Sequence, residues 1–434
     1  MKKVLFLILL PLLMACSSEF EPTIEEGVGQ TDKTTSLSRS MDEVMLIAEA
    51  GRNLINEQSR SQTPKVMVGS VTAIRASKGR SDIIDTVMYA VNYEDEKGFI
   101  LISAVNTVTP IIGISDCGSF NSADEIGNEN FQFYLNAAKE YIVTETEQKL
   151  NGSTSQESMM QASEGAFEII KEKKMYPARL KTQWNHKSWP ENFYCPNKIA
   201  GCGPLALAQI LAYEGEPASM ELTFPGRDKN IQVFNWADIV RHGHTEGDTC
   251  IVCANSRADI LNPCRANKES HYEIGRLVRQ LGELTDARYK ESGTSTYFFD
   301  ICNVAKDLLP DYEISYYNSG KLFDKIKENY MVGIVTGQDD ETFDHRVGHA
   351  WIMDGAMTIY VITKRKDDPS DAGKILSQTN YIHFNWGWGG TCNGYFLDGV
   401  FNTEKEYEDP PIIIPNKVKS RYDFKYDVEY ITIY

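Results

Sequence analysis

Apolar and polar positions along this chain fall into two patterned blocks with a polar gap between them. In the first block Met45, Ile47, Ala48 and Leu54 recur at helical spacing, which predicts a helix over Met41–Asn56. Val66–Ala76 and Asp85–Asn92 read as strands, the second through the alternation in Thr86-Val87-Met88-Tyr89-Ala90-Val91. Tyr89–Tyr93 and Gly98–Ala104 pair as a hairpin around Glu94-Asp95-Glu96-Lys97. Val108–Ser115 adds a strand and Glu129–Gln148 a helix. Asn151-Gly152-Ser153-Thr154-Ser155-Gln156-Glu157-Ser158 has the composition of an exposed link, where a protease would cut. The pattern then predicts a helix over Ala162–Lys174, with Lys171-Glu172-Lys173-Lys174 as its charged end.

The second block opens near Met175 with a loop-rich stretch holding Trp184, Trp189, Pro190, Cys195 and Pro196. Gly201-Cys202-Gly203-Pro204-Leu205-Ala206-Leu207-Ala208-Gln209-Ile210-Leu211-Ala212-Tyr213 is a loop that ends in a cysteine and runs at once into an apolar helix. Pro204 suits the first turn. Phe224-Pro225-Gly226 is a turn, and Phe234–Val240 starts another element. Ile274–Gly282, Phe298–Leu309 and Leu322–Asn329 read as helices. Strands follow at Met331–Thr336, His349–Met353, Thr358–Thr363, Tyr381–Trp386, Gly394–Leu397 and Tyr426–Tyr434. Helices first and strands second within one block give an α+β domain.

Length agrees with two blocks, since 434 residues exceed one ordinary domain. With 42% hydrophobic and 24% charged residues the composition is globular. A net charge of −17 argues against a nucleic-acid partner, because phosphate recognition needs Lys and Arg. Lys2 and Lys3, the apolar run to Met14, and Ala15 before Cys16 predict a secretory signal. Leu13-Met14-Ala15-Cys16 resembles a bacterial lipobox, which implies cleavage before Cys16 and its lipidation. The expected division is a signal over 1–16, a polar tether over 17–40, an N-terminal domain over 41–150, a linker with the activation cut over 151–174, and a C-terminal domain over 175–434. The expected location is exported, on an outer membrane, periplasmic or surface-exposed, touching the membrane through its anchor only.

Nine cysteines remain odd in number once Cys16 and Cys202 are set aside, so at least one stays a thiol. Cys250-Ile251-Val252-Cys253 with Cys264 and His271 is open to zinc or to disulfides, and export favours disulfides.

Cys202 sits beside the unpaired N–H groups and positive end of a helix, which stabilise a thiolate, the nucleophilic form. The stretch alone fits a buried structural cysteine as well. A nucleophile needs a base. His349, in Val347-Gly348-His349-Ala350-Trp351, follows about 150 residues later, as in papain-type enzymes. Asn385, in Tyr381-Ile382-His383-Phe384-Asn385-Trp386-Gly387-Trp388-Gly389-Gly390, is expected to accept the His349 ring N–H, with Trp386 or Trp388 covering that bond. His242, His244, His345 and His383 are placed away from the chemistry.

Gly201–Ile210, Gly348-His349-Ala350-Trp351 and Asn385-Trp386-Gly387-Trp388-Gly389-Gly390, in this order and spacing, resemble the streptopain family of secreted bacterial cysteine peptidases. Tyr89–Asn92, Gly98–Ala104 and Pro110–Ser115 resemble that family's inhibitory propeptide. The resemblance implies an α+β, papain-like peptidase domain behind a small α+β prodomain, hence a zymogen. It makes Cys202 the nucleophile and His349 the proton acceptor. Gly348 and the loop Ser292-Gly293-Thr294-Ser295 would line the substrate groove, with Thr294 matching the family's substrate-contacting serine; Trp388, from the Trp- and Gly-rich run, is a further substrate-binding candidate. Where the family has Trp, a small residue and Gln, this chain has Trp184-Asn185-His186, with Gln183 just before. His186 or Gln183 would then join the Cys202 backbone N–H as oxyanion donor, with Trp386 as support.

The implied function is a lipid-anchored zymogen of a cysteine endopeptidase. Its partners are a peptide or protein substrate and its own propeptide, and no cofactor or metal is required. The rival reading is a catalytically weak or silent surface binding protein on the same fold, an adhesin or peptidase inhibitor, which His186 favours.

Overall fold

In the N-terminal block, α1 (Met41–Ile55) precedes four antiparallel strands: β1 (Val68–Arg75), β2 (Thr86–Tyr93), β3 (Phe99–Ser103) and β4 (Ile111–Ser115). The computed structural model describes residues 37–55, 68–76, 84–115, 117–120, 127–151, 167–225, 230–242, 268–309, 312–316, 319–329, 331–339, 346–365, 374–401 and 426–433. Every residue of β3 and β4 is buried, as strands covered on both faces require. A reciprocal cap starts α1: the Glu43 N–H donates to Ser40 Oγ, and the Ser40 N–H donates to the Glu43 carboxylate. α2 (Glu129–Asn151) is capped by Asn128, whose Oδ1 accepts the Phe131 N–H at 3.0 Å.

The stretch expected as a helix over Ala162–Lys174 is instead a strand from Phe167, β5 (Phe167–Tyr176). The cause lies in the partner. β13 (His349–Arg365) pairs with β11 (Val332–Asp339) only as far as Met353, and β5 takes up its backbone from Ala356 to Arg365. Unpaired groups on β13 would be costly, and the ladder overrides the local helical pattern. β5 therefore belongs structurally with the C-terminal block. β13 also joins the two strands expected at His349–Met353 and Thr358–Thr363, with a bulge between Met353 and Gly355.

α3 (Cys202–Glu214) is buried from Gly203 to Ala212 and ends at Gly215 in the left-handed region. Around it lie the hairpin of β6 (Ser219–Leu222) and β7 (Asn230–Val233), then α4 (Trp236–His242) and α5 (Lys268–Leu284). A small sheet holds β8 (Arg288–Lys290), β9 (Gly293–Tyr297) and β12 (Arg346–Val347). α6 (Phe298–Leu308), β10 (Tyr312–Tyr316) and α7 (Ser319–Asn329) follow in the chain. β14 (Lys374–Asn385), β15 (Gly394–Leu397) and β16 (Tyr426–Ile433) complete the C-terminal sheet.

The two blocks share one sheet, in the order β1-β2-β3-β4-β15-β14-β13-β11-β16-β10. The seam is β4 on β15, with Ser115, Ile114 and Gly113 opposite Gly394, Tyr395 and Phe396. Gly113 is required there, since a Cβ would stand 2.6 Å from the Phe396 ring. Aromatic rings pack across the joint: Phe131 on Trp386 at 5.8 Å, Phe133 on Trp351 at 5.8 Å and Tyr134 on Phe396 at 4.9 Å.

Candidate active site

Cys202 opens α3 directly after Gly201, whose φ of 89° lies in the region that favours glycine. A Cβ on Gly201 would also stand 2.8 Å from Thr294 Cγ2, and one on Gly203 would stand 2.5 Å from Thr296 Oγ1. The two glycines thus let β9 press against the start of α3. The Cys202 sulfur is aimed at the backbone N–H groups of Ala350, Gly203 and Cys202 itself. These favour the thiolate, but burial outweighs them. With the negative charge of Glu129 acting in the same direction, the thiol is pushed up to about 11.

Ala350 directly follows His349, the residue that starts β13, so the strand that carries the expected base also faces the Cys202 sulfur. The expected partner of His349 is elsewhere. Asn385 Oδ1 accepts the Gly387 N–H at 3.1 Å, and its amide donates to Thr182 O at 2.8 Å and Gln209 Oε1 at 3.2 Å. Asn385 therefore shapes its own turn and ties it to α3 rather than orienting the imidazole. In its place stands Asn130, from α2 of the N-terminal block. The His349 Nδ1–H donates to Asn130 Oδ1 at 3.3 Å. A carbonyl oxygen only accepts, so this tautomer leaves the lone pair on Nε2. The Asn130 amide in turn donates to Ala350 O at 2.8 Å and Trp386 O at 2.7 Å. Phe133, one turn on, lies 5.1 Å from the His349 ring. Gly337 on β11 makes room for it, since a Cβ there would be 2.5 Å from Phe133 Cε1.

Glu129 sits on the same helical turn and forms an ion pair with Lys187 at 2.8 Å. Burial alone would raise its carboxyl, but the Lys187 hydrogen bond and charge, with His186 and His349, hold it below the usual range. Its charge acts on Cys202, His186 and His349, so the first turn of α2 sits at the meeting point of all three.

His186 is 4% exposed, and its Nδ1 has no hydrogen-bond partner. Burial, with Lys187 and His349 adding to it against Glu129, lowers its pKa to about 4, so the ring stays neutral. Its backbone is held at both ends, the N–H donating to Gly387 O and the carbonyl accepting the Ala200 N–H, two residues before Cys202. Its ring meets Trp388 edge-on at 4.8 Å, and Lys187 Nζ lies 4.5 Å from that indole. Gln183 faces Gly390, where a Cβ would be 2.5 Å from its Oε1. Trp386 is fully buried and its indole N–H donates to Cys392 O at 2.8 Å.

Thr294 lies beside Gly201, but its hydroxyl donates to Ile199 O at 2.7 Å and accepts from Asn197 Nδ2 at 3.0 Å. It braces the loop before Cys202 instead of facing outward. The expected Ser292–Ser295 loop is in part strand β9, while Ser292 and Gly348 are exposed. His383 Nδ1–H donates to Asp354 Oδ1 at 2.6 Å. Cys16, His244, Cys250, Cys253, Cys264 and His345, with most of the tether and the link before Phe167, lie outside the described residues.

Asn130 and Glu129 escaped the sequence reading, because Asn128-Glu129-Asn130 looks like an ordinary helix start. The one available signal was redundancy. Asn128 alone caps α2, which leaves Asn130 without a local purpose.

The Peptidase C10 family model matches residues 180–396, and a Spi protease inhibitor model matches residues 42–142. Among solved structures the chain is similar to a prointerpain A fragment of Prevotella intermedia. The identity is 16% and the TM-score 0.50, over 83% of this chain and 98% of that one. At that identity the likeness speaks for the fold, papain-like with a prodomain. No curated protein sequence matches.

Proposed function

Because this chain belongs to the Peptidase C10 family of cysteine peptidases and carries an inhibitor-like domain ahead of it, we propose that it is an exported, lipid-anchored zymogen of an endopeptidase. Cys202 gives its proton to His349 and attacks the peptide carbonyl carbon. The oxyanion that forms takes hydrogen bonds from the Cys202 backbone N–H and from the neutral His186 ring. The intermediate collapses to a thioester as protonated His349 gives its proton to the leaving amine. Water, deprotonated by His349, then hydrolyses the thioester and restores the thiol.

The observation that carries this reading is the first turn of α2. Asn130 engages His349, and the thiol of Cys202 is raised by burial first, with the Glu129 charge adding to it. Both belong to the domain that matches a protease inhibitor. The N-terminal domain thus keeps the pair idle by contact and by charge. Lipidation at Cys16 is supported by the sequence Leu13-Met14-Ala15-Cys16.

The test is alkylation of Cys202 by iodoacetamide against pH, before and after removal of the N-terminal domain. With the thiol near 11, about one part in a thousand is thiolate at pH 8. Uncovering the site lowers the pKa, so the processed protein should label at least about tenfold faster at that pH. Cys202→Ala should abolish the fast label. If Cys202 in the processed protein reacts no faster than the other cysteines, the mechanism is wrong.

A further inference from the structure

Away from the cleft, the seam between the two domains brings together two cysteines that the reaction does not use. Cys117 lies just past β4 and Cys392 just before β15, and both are thiols here. The seam pairs Phe396 with Gly113, Tyr395 with Ile114 and Gly394 with Ser115. Cys117 stands two residues past Ser115 and Cys392 two before Gly394, the last pair of that ladder, and the chain turns at Cys392, whose φ is 62°.

Hydrogen bonds hold the two segments together. Cys117 Sγ donates to Gly390 O at 3.1 Å, Asn128 Nδ2 to Thr391 O at 3.1 Å, and Ser115 Oγ to Asn393 O at 2.7 Å. The residues flanking Cys392 are therefore all docked on the N-terminal domain. Cys392 is fully buried, whereas Cys117 is partly exposed. Burial first, and the Cys117 charge second, push the Cys392 thiol up, which shows the sulfurs within electrostatic reach. The Ser115 hydroxyl also reaches Cys117 O at 2.9 Å, so a single side chain ties the Cys117 backbone to the carbonyl of Asn393, the neighbour of Cys392. A disulfide spans roughly 4.4–6.8 Å between Cα atoms.

We propose that Cys117 and Cys392 form an interdomain disulfide that straps the inhibitory domain to the peptidase domain. The oxidant is a small-molecule disulfide. The accessible Cys117 thiolate attacks one of its sulfurs, forming a mixed disulfide and releasing one thiol. Cys392 then attacks the Cys117 sulfur, releasing the second thiol and closing the bond. Two protein thiols are oxidised and one disulfide is reduced to two thiols, which carry off the two protons. Cutting the linker then leaves the inhibitory domain attached until the bond is reduced. The inhibitory consequence rests on the function proposed above, but formation of the bond does not.

The full-length Cys202→Ala chain, which cannot process itself, is incubated with oxidised glutathione and its peptides are mapped. A peptide joining Cys117 to Cys392 is expected. After limited proteolysis between residues 152 and 166, the oxidised chain should run as one band without reductant and two with it. The further change Cys117→Ala, at the partly exposed position, should give two bands without reductant. The proposal is overturned if both cysteines still alkylate after oxidation, or if the Cys117→Ala chain stays as one band. If the linked peptide is found but freeing the domain leaves Cys202 alkylation of the wild-type chain unchanged, the disulfide stands and the inhibitory reading fails.

Discussion

One carboxamide, that of Asn130, answers three groups of the peptidase domain: the His349 ring and the Ala350 and Trp386 carbonyls. Each such bond contributes about 1 kcal/mol net, and losing them weakens the cover over the site by roughly 1–3 kcal/mol. Asn130→Ala should therefore speed alkylation of Cys202 in the unprocessed chain by about ten- to a hundredfold. An unchanged rate would mean that packing alone closes the site. His186 is the second decisive residue. Its ring is neutral with an unpartnered nitrogen, one backbone bond ties it to Ala200 before Cys202 and another to Gly387, and the proposed mechanism makes it the oxyanion donor. His186→Phe keeps a ring but loses the donor. In the processed enzyme it should lower kcat by about 10²–10³ with little change in KM, and His186→Gln should recover most of the loss. A fall of less than about threefold in kcat would move the oxyanion role to Gln183.

Strands, more than helices, decide how the parts of this protein hold together. The seam of β4 on β15 is short, and it closes only because Gly113 has no side chain. Gly113→Ala forces the Phe396 ring aside at a cost of about 1–3 kcal/mol. The unprocessed chain should then label faster at Cys202, while the mature enzyme, which no longer carries Gly113, keeps its kcat. Slow labelling in that variant would show the seam to be dispensable. β13 is the other organising strand. It presents His349 at its start, aims the Ala350 N–H at Cys202, and holds β5 along its far half.

At the scale of the molecule, inhibitor and peptidase domains share a sheet and an aromatic core, so the zymogen buries a surface that activation must expose. The position of β5 fixes which piece leaves. Its ten residues are paired with β13 and remain with the peptidase domain if the cut falls before Phe167. N-terminal sequencing of the mature enzyme should place its first residue between 152 and 167. A start after Tyr176 would mean that the strand is discarded with the inhibitor.

The chain by itself determined the inhibitor-like and peptidase blocks that the family models match and the helix that begins at Cys202, because local periodicity and motif spacing carry those features. Most of the N-terminal strands and α2 were legible for the same reason. The tertiary structure alone decided the rest. Phe167–Tyr176 became a strand because β13 left a ladder open, a demand made by residues far away in sequence. Asn385 turned inward to Gln209 and Thr182, and Asn130, some two hundred residues upstream of His349, took its expected place. No window of sequence contains both ends of that hydrogen bond, nor both Cys117 and Cys392. The first depends on how α2 meets the start of β13, the second on how β4 meets β15.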